Sequence, residues 1–237
     1  SEAPWYEPLS LLTMIASHTT KIKLATAILI APLRNPALLA KTVATLDTIS
    51  KGRLELGVGL GWQKEEFDTA GVSFEDRSEI FWETLDICKL LWQDSPISFH
   101  GKHFNFDDIW CHPQPTQGQN LPLLFGLKMT HENAQRIAKV GHGWIPIKTS
   151  RDFISAGKDI LMEAFIKEGR QDQPRIRGQL PTCVDNNGVP NIDLTLKELE
   201  KSMAAGLDEV EVFPINFVQS PDDIYKVLKI ISEVKQI

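Results

Sequence analysis

The sequence is short of cysteine, of long apolar runs and of any basic block. Its three cysteines, Cys88, Cys111 and Cys183, are odd in number and widely spaced. That argues against a disulfide scaffold and suits a reducing, cytoplasmic setting. No stretch is apolar enough for long enough to span a bilayer, since the run at 24–33 has only about the length of a strand. Residues 1–7 are polar and carry no signal-peptide core, and the chain starts without Met, which leaves its start open to processing or trimming. Lys and Arg number 25 against 31 Asp and Glu, a net charge of -6. With no basic cluster, there is no electrostatic footprint for nucleic acid. No G-x-S-x-G elbow occurs, so a hydrolase of the α/β type would lack its nucleophile. No linker or low-complexity tract divides the chain, which reads as one domain over 1–237. With 42% hydrophobic and 24% charged residues, the composition is that of a globular protein and not of a disordered or coiled-coil chain.

What is present is an alternation. Pro8, Leu9, Leu12 and Ala16 set a first helix. The run at 22–30 is apolar and partly β-branched, and predicts a strand buried on both faces. Asn35-Pro36 supplies an N-cap and first-turn pair for a helix carrying Leu39, Val43, Leu46 and Ile49, ending near Ser50-Lys51-Gly52. Leu54, Leu56 and Val58 mark a second strand, which runs into Gly57-Val-Gly-Leu-Gly-Trp62. A helix over 77–93 follows, then a hairpin at 99–104 and an irregular connection through Pro113 and Pro115. Strands at 121–125, 144–147 and 175–184 alternate with helices at 130–140, 152–169 and 195–205. A last strand around Val210, Val212 and Phe213 leads to a final helix capped by Ser220-Pro221. Six strands and seven helices in alternation argue for parallel βα units. The length falls just short of the roughly 250 residues of an eight-unit barrel. Periodicity alone leaves an open doubly wound sheet as the rival.

In both architectures ligands lie beyond the carboxyl ends of the strands. Gly57-x-Gly-x-Gly61 misses the dinucleotide fingerprint by one residue of spacing, and close approach of backbone is the plainer reading. Gly126-Leu-Lys-Met-Thr130 leaves a strand and opens a helix, so its first-turn N–H groups and Lys128 could take a phosphate. A plain N-cap at Thr130 beside a solvated Lys128 explains the same residues equally well. Glu65 and Glu66 follow a strand end, as a general acid or base would, or as surface charges at a helix start would. His100-x-x-His103 with Cys111-His112 offers four N or S ligands, but not at a zinc-motif spacing, and no metal is expected. Trp5, Trp62, Trp110 and Trp144 are candidate pocket walls or core anchors.

The segment from Arg34 to Trp62 combines Asn35-Pro36, Leu39-Ala-Lys41, Thr45-Leu-Asp47, Ser50-x-Gly52-Arg53 and Gly57-x-Gly-x-Gly61-Trp62. With Glu65-Glu-Phe67, Phe99-His-Gly101, Phe104-x-Phe106 and Gly141-x-Gly-Trp-Ile-Pro146, it resembles the bacterial luciferase-like monooxygenase family, nearest its deazaflavin (coenzyme F420)-dependent branch. The resemblance covers essentially the whole chain. It implies a TIM-type (β/α)8 barrel, here lacking the N-terminal strand–helix–strand so that six strands remain. It implies reduced F420 or FMN at the carboxyl face, for hydride transfer or monooxygenation of a small organic substrate. The cofactor ring would rest on a strand bulge at Thr26-Ala27-Ile28, a place where a non-proline cis peptide is frequent. Asn35, Gly61 and Trp144 join the implied cofactor-binding set. Gly126, Leu127 and Lys128 stand where the family's phosphate loop usually reads Gly-Gly followed by Ser or Asn. Leu127 adds a side chain where close approach is usual, and Lys128 can compensate by its charge. Because the cofactor carries the chemistry, no catalytic acid or base is named. The implied partners are a small-molecule substrate and a second copy of the chain, with no nucleic acid and no membrane. The alternatives are a non-catalytic flavin-binding protein on a shortened barrel and a fragment without folded function.

Overall fold

The computed structural model describes residues 6–218, 220 and 223–234. Trp5 and the Pro221 half of the final cap lie outside the described residues. The remainder falls into two compact units, one ending at Gly126 and one starting at Leu127.

In the first unit, helix α1 (Pro8–His18) is capped by Glu7, whose carboxylate accepts from the Ser10 N–H. The expected strand at 22–30 is interrupted: β1 (Leu24–Ala25) and β2 (Leu29–Ile30) are two residues each. Both pair in parallel with one strand, β3 (Leu54–Gly59). Ala25 faces Glu55 and Leu29 faces Val58, so the chain advances four residues against three on β3. One residue is therefore extra, which is a bulge. The Ala27–Ile28 peptide within it is cis. The Thr26 hydroxyl donates to the Gly57 carbonyl at 2.7 Å, replacing a ladder contact. Helix α2 (Pro36–Ser50) begins at Asn35, which accepts from the Ala37 and Leu38 N–H groups, and ends at Lys51 in the left-handed region.

After β3 comes α3 (Lys64–Ala70), a seven-residue helix with Phe67 as its buried residue. Such a length is too short for a periodic pattern to be seen in the sequence. Helix α4 (Arg77–Gln93) lies where the pattern predicts it. It is fixed to α2 by Trp92 Nε1 donating to the Ala40 carbonyl at 3.0 Å. Trp82 stacks on Phe125 at 5.5 Å between centroids. The antiparallel hairpin β4 (Ile97–His100) and β5 (Asn105–Ile109) matches expectation. Strand β6 (Leu123–Gly126) starts later than residue 121 and pairs in parallel with β3. Pro122 has no N–H to give a ladder, though its carbonyl accepts from the Leu56 N–H.

In the second unit, β7 (Gly143–Trp144), β8 (Arg175–Gln179) and β9 (Glu209–Glu211) pair in parallel in that order. Helix α5 (His131–Val140) precedes β7, and α6 (Arg151–Lys167) precedes β8. The strands expected at 144–147 and 175–184 both end earlier than expected, at Trp144 and Gln179. Pro146 and Pro181, which lack the donor a ladder needs, follow within a few residues of each end. The single helix expected at 195–205 is two, α7 (Ile192–Leu196) and α8 (Leu199–Ala204). The turn tightens between them, where the Glu198 N–H donates to the Thr195 carbonyl. The final helix is α9 (Ile224–Ser232). Arg175 and Arg177 on β8 both pair with Glu209 on β9. Among the described residues, no helix is long and apolar enough to cross a membrane.

Candidate functional site

In the first unit the carboxyl ends of three strands come level. Ile30 is in register with Gly59, and Gly59 with Gly126. Just before that level, the bulge brings Ile28 over the ends of β3 and β6. A Cβ at Gly59 would lie 2.1 Å from Ile28 Cδ1, and one at Gly126 would lie 2.7 Å from Ile28 Cγ2. Ile28 therefore occupies the space the two glycines leave, and 37% of its surface remains exposed. An apolar platform at a row of parallel strand ends is a place for a flat ligand. Thr26 is buried with its hydroxyl committed to Gly57, so its part is to hold the bulge.

The turn after β3 is held by Gly61. Its φ is +78, and a Cβ there would meet Ile30 at 2.8 Å and Phe67 at 3.0 Å. Gly61 thus lets the turn pack inward, while the next residue, Trp62, is 82% exposed. Asn35 caps α2 and also lines a cleft of about 430 Å³ with Pro32, Arg34, Ser73, His103 and Phe104. The two basic side chains of that cleft already have partners. Arg34 donates to Glu7 at 2.7 Å, and His103 Nε2 lies 3.0 Å from Glu79. Burial pulls the Glu7 carboxyl up, but its bonds from Ser10 and Arg34 outweigh this and hold it down at about 2.

In the second unit, Thr130 caps α5 by accepting from the Asn133 N–H at 3.2 Å. The Lys128 carbonyl accepts from the Asn133 side chain, and Lys128 itself is exposed. Leu127 is buried. Its carbonyl accepts from Trp144 Nε1 at 2.8 Å, and the Trp144 indole is wholly buried. Trp144 therefore bears on this segment through the Leu127 backbone and presents no face to solvent.

Several other candidates are drawn into local bonds. His100 pairs with Asp107 and Asn105, and His112 with Ser95, while Cys111 is buried. Asp76, Glu79 and His103 bring ligand-type atoms within 4.8 Å, but Glu79 is also engaged by Lys102. That Lys102 bond, with His103, lowers the Glu79 carboxyl below its usual value. Glu65 and Glu66 are exposed in the first turn of α3. Gly59 is the residue that the sequence alone did not single out. It lies inside the glycine-rich run, but the contact that needs it comes from a residue 31 positions earlier.

Parallel strands alternating with helices, their carboxyl ends level, define an α/β fold of the barrel class. The match to known proteins makes this specific: the model of the luciferase-like monooxygenase family matches residues 1–188, and the chain belongs to that family. It is 33% identical over 174 residues to an uncharacterized protein of Mycobacterium tuberculosis, covering 73% of this chain and 59% of that protein. It is 29% identical over 178 residues to an F420-dependent glucose-6-phosphate dehydrogenase of Kineococcus radiotolerans, covering 73% of this chain and 51% of that one. The chain thus spans about half to three-fifths of the length of these curated relatives. In fold it is similar to the oxygenating constituent of a 3,6-diketocamphane monooxygenase of Pseudomonas putida, solved with FMN. The TM-score is 0.77 at 17% identity, over 98% of this chain and 85% of that one.

Proposed function

We propose that this chain is an oxidoreductase that uses reduced F420 or reduced FMN to act on a small organic substrate. The observation that carries the reading is the Ile28 ledge, an exposed apolar surface at the ends of β2, β3 and β6. The residues fit a flat ring. Gly59 and Gly126 carry no side chain and so make room for Ile28, which lies over the ends of β3 and β6 as an apolar surface. When bound, the reduced ring supplies hydride or reacts with oxygen. The chain supplies position and exclusion of water. Ile28 would support the ring, and Thr26 locks the bulge through Gly57. In the second unit, the start of α5 is the anion-seeking feature, with first-turn N–H groups and Lys128 suited to a phosphate. Leu127 is held for this role by the Trp144 indole.

The test is a spectral titration with FMN and with F420, each oxidised and reduced. Saturable micromolar binding of one of them, with turnover against an acceptor or oxygen, is the expected result. Binding without turnover against any substrate would favour a non-catalytic flavin carrier. No binding of either would overturn the reading.

A further inference from the structure

Gly59 and Gly126 are in register on adjacent strands, and each carries a missing Cβ whose space Ile28 fills. The contacts differ in kind. At Gly59 the intruding atom is Cδ1, the far end of the side chain, at 2.1 Å. At Gly126 it is Cγ2, at 2.7 Å, and a β-branched methyl cannot move without turning χ1. A side chain at 59 could be relieved by a χ2 change, whereas one at 126 pushes on the branch point. A change of both positions leaves Ile28 only a backbone shift. The backbone oxygen of Gly126 would also lie 3.2 Å from a Cβ at 59, so the two glycines are coupled to each other as well.

We infer that the Gly59–Gly126 pair is the positioning element of the cofactor ring, setting the height of Ile28 above the strand ends. This rests on the reading of Ile28 as the ring platform. The pair touches the platform from below and acts only through it, so these are positioning residues. It also gives Gly126 a role distinct from the phosphate loop that follows it. A chain with alanine at 126 would raise or rotate Ile28 into the space the ring needs.

The experiment is a double-mutant cycle on the chain, read as dissociation constants for FMN and F420 by absorbance and fluorescence. The variants are Gly126→Ala, Ile28→Ala and the pair together, with Gly59→Ala and Gly59→Ala/Ile28→Ala as a second cycle. Gly126→Ala is expected to weaken binding by roughly tenfold or more, and Gly59→Ala by less. Each loss should vanish when Ile28 is already alanine, so that the double variant binds no worse than Ile28→Ala alone. If Gly126→Ala fails to fold, recovery of folding in the double variant supports the same clash, and continued failure refutes it. Additive losses in a protein that binds cofactor would overturn the inference and leave the oxidoreductase reading intact. A wild-type chain that binds neither cofactor would overturn both.

Discussion

Arg53 offers the sharpest test of how this scaffold is held. All of its guanidinium nitrogens are engaged. Nε donates to the Ser50 carbonyl at 2.7 Å, Nη1 to Thr19 Oγ1 at 2.9 Å and the Ile22 carbonyl at 2.8 Å. Nη2 donates to the carbonyls of Ala16 at 3.0 Å and Thr19 at 2.9 Å. The Ala16 carbonyl belongs to the last turn of α1, where helix carbonyls have no intrahelical partner. Arg53 thus closes α1 from a distance and ties it to the segment entering β1. Lysine has three donors on a single point and cannot span these acceptors. Arg53→Lys keeps one or two of five contacts and loses at least three, at about 1 kcal/mol each, so about 3–4 kcal/mol in all. For a chain of this size that lowers the melting temperature by roughly 6–16 °C. Circular dichroism melts and urea titration measure the loss, and amide exchange locates it in α1. Cofactor affinity, measured well below the melting range, should stay unchanged. A variant within about 0.5 kcal/mol of wild type would refute the staple.

Three further outcomes follow from bonding and burial elsewhere in the chain. Glu83 accepts from the N–H groups of Lys102, His103 and Phe104, so Glu83→Ala should cost about 1–3 kcal/mol and speed amide exchange across 97–109; unchanged exchange there by mass spectrometry would contradict it. Burial pushes the Glu211 carboxyl above its ordinary 4.5, with Arg177 opposing and Glu209 assisting. A raised folded value favours the protonated form, so that contribution to stability is present below 4.5 and lost as pH rises through the raised value. Glu211→Gln should therefore gain stability relative to wild type between pH 4 and pH 7, and a relative loss over that window in paired melts would reverse the assignment. Cys88 is buried, and burial pushes its thiol far above the usual range. A thiol reagent should modify the half-buried Cys183 in the native protein and reach Cys88 only after unfolding, as peptide mapping would register.

The residues that made the sequence recognisable are largely not those that form the ledge. Asp47 is fully buried and accepts from the Gln117 backbone and side chain, Ser50 and Arg53 knot the end of α2, and Gly61 packs a turn. Asp47 and Arg53 act on partners 70 and 31–37 positions away and are legible only as a pattern the family repeats, whereas Ser50 is legible locally, since its partners lie three residues away. The same holds for the caps at Asn35 and Thr130, whose partners lie within three residues, and for the helices they begin. The ledge is another matter. Nothing local in the run at 22–30 reveals that one residue is extra, because the count exists only against β3, about thirty positions on. The family resemblance pointed to Thr26, Ala27 and Ile28, yet not to Gly59, since a glycine in a glycine-rich strand end looks the same whether it admits a ligand or a side chain. Trp144 shows the converse. Its Gly-His-Gly-Trp setting marks a strand end near a site, but a Cβ on Gly157 would lie 2.3 Å from its ring. The indole is thus packed into α6 and spends its N–H on Leu127. A site formed by what side chains leave empty is written in pairs of distant positions, so substitution in pairs is what can expose it.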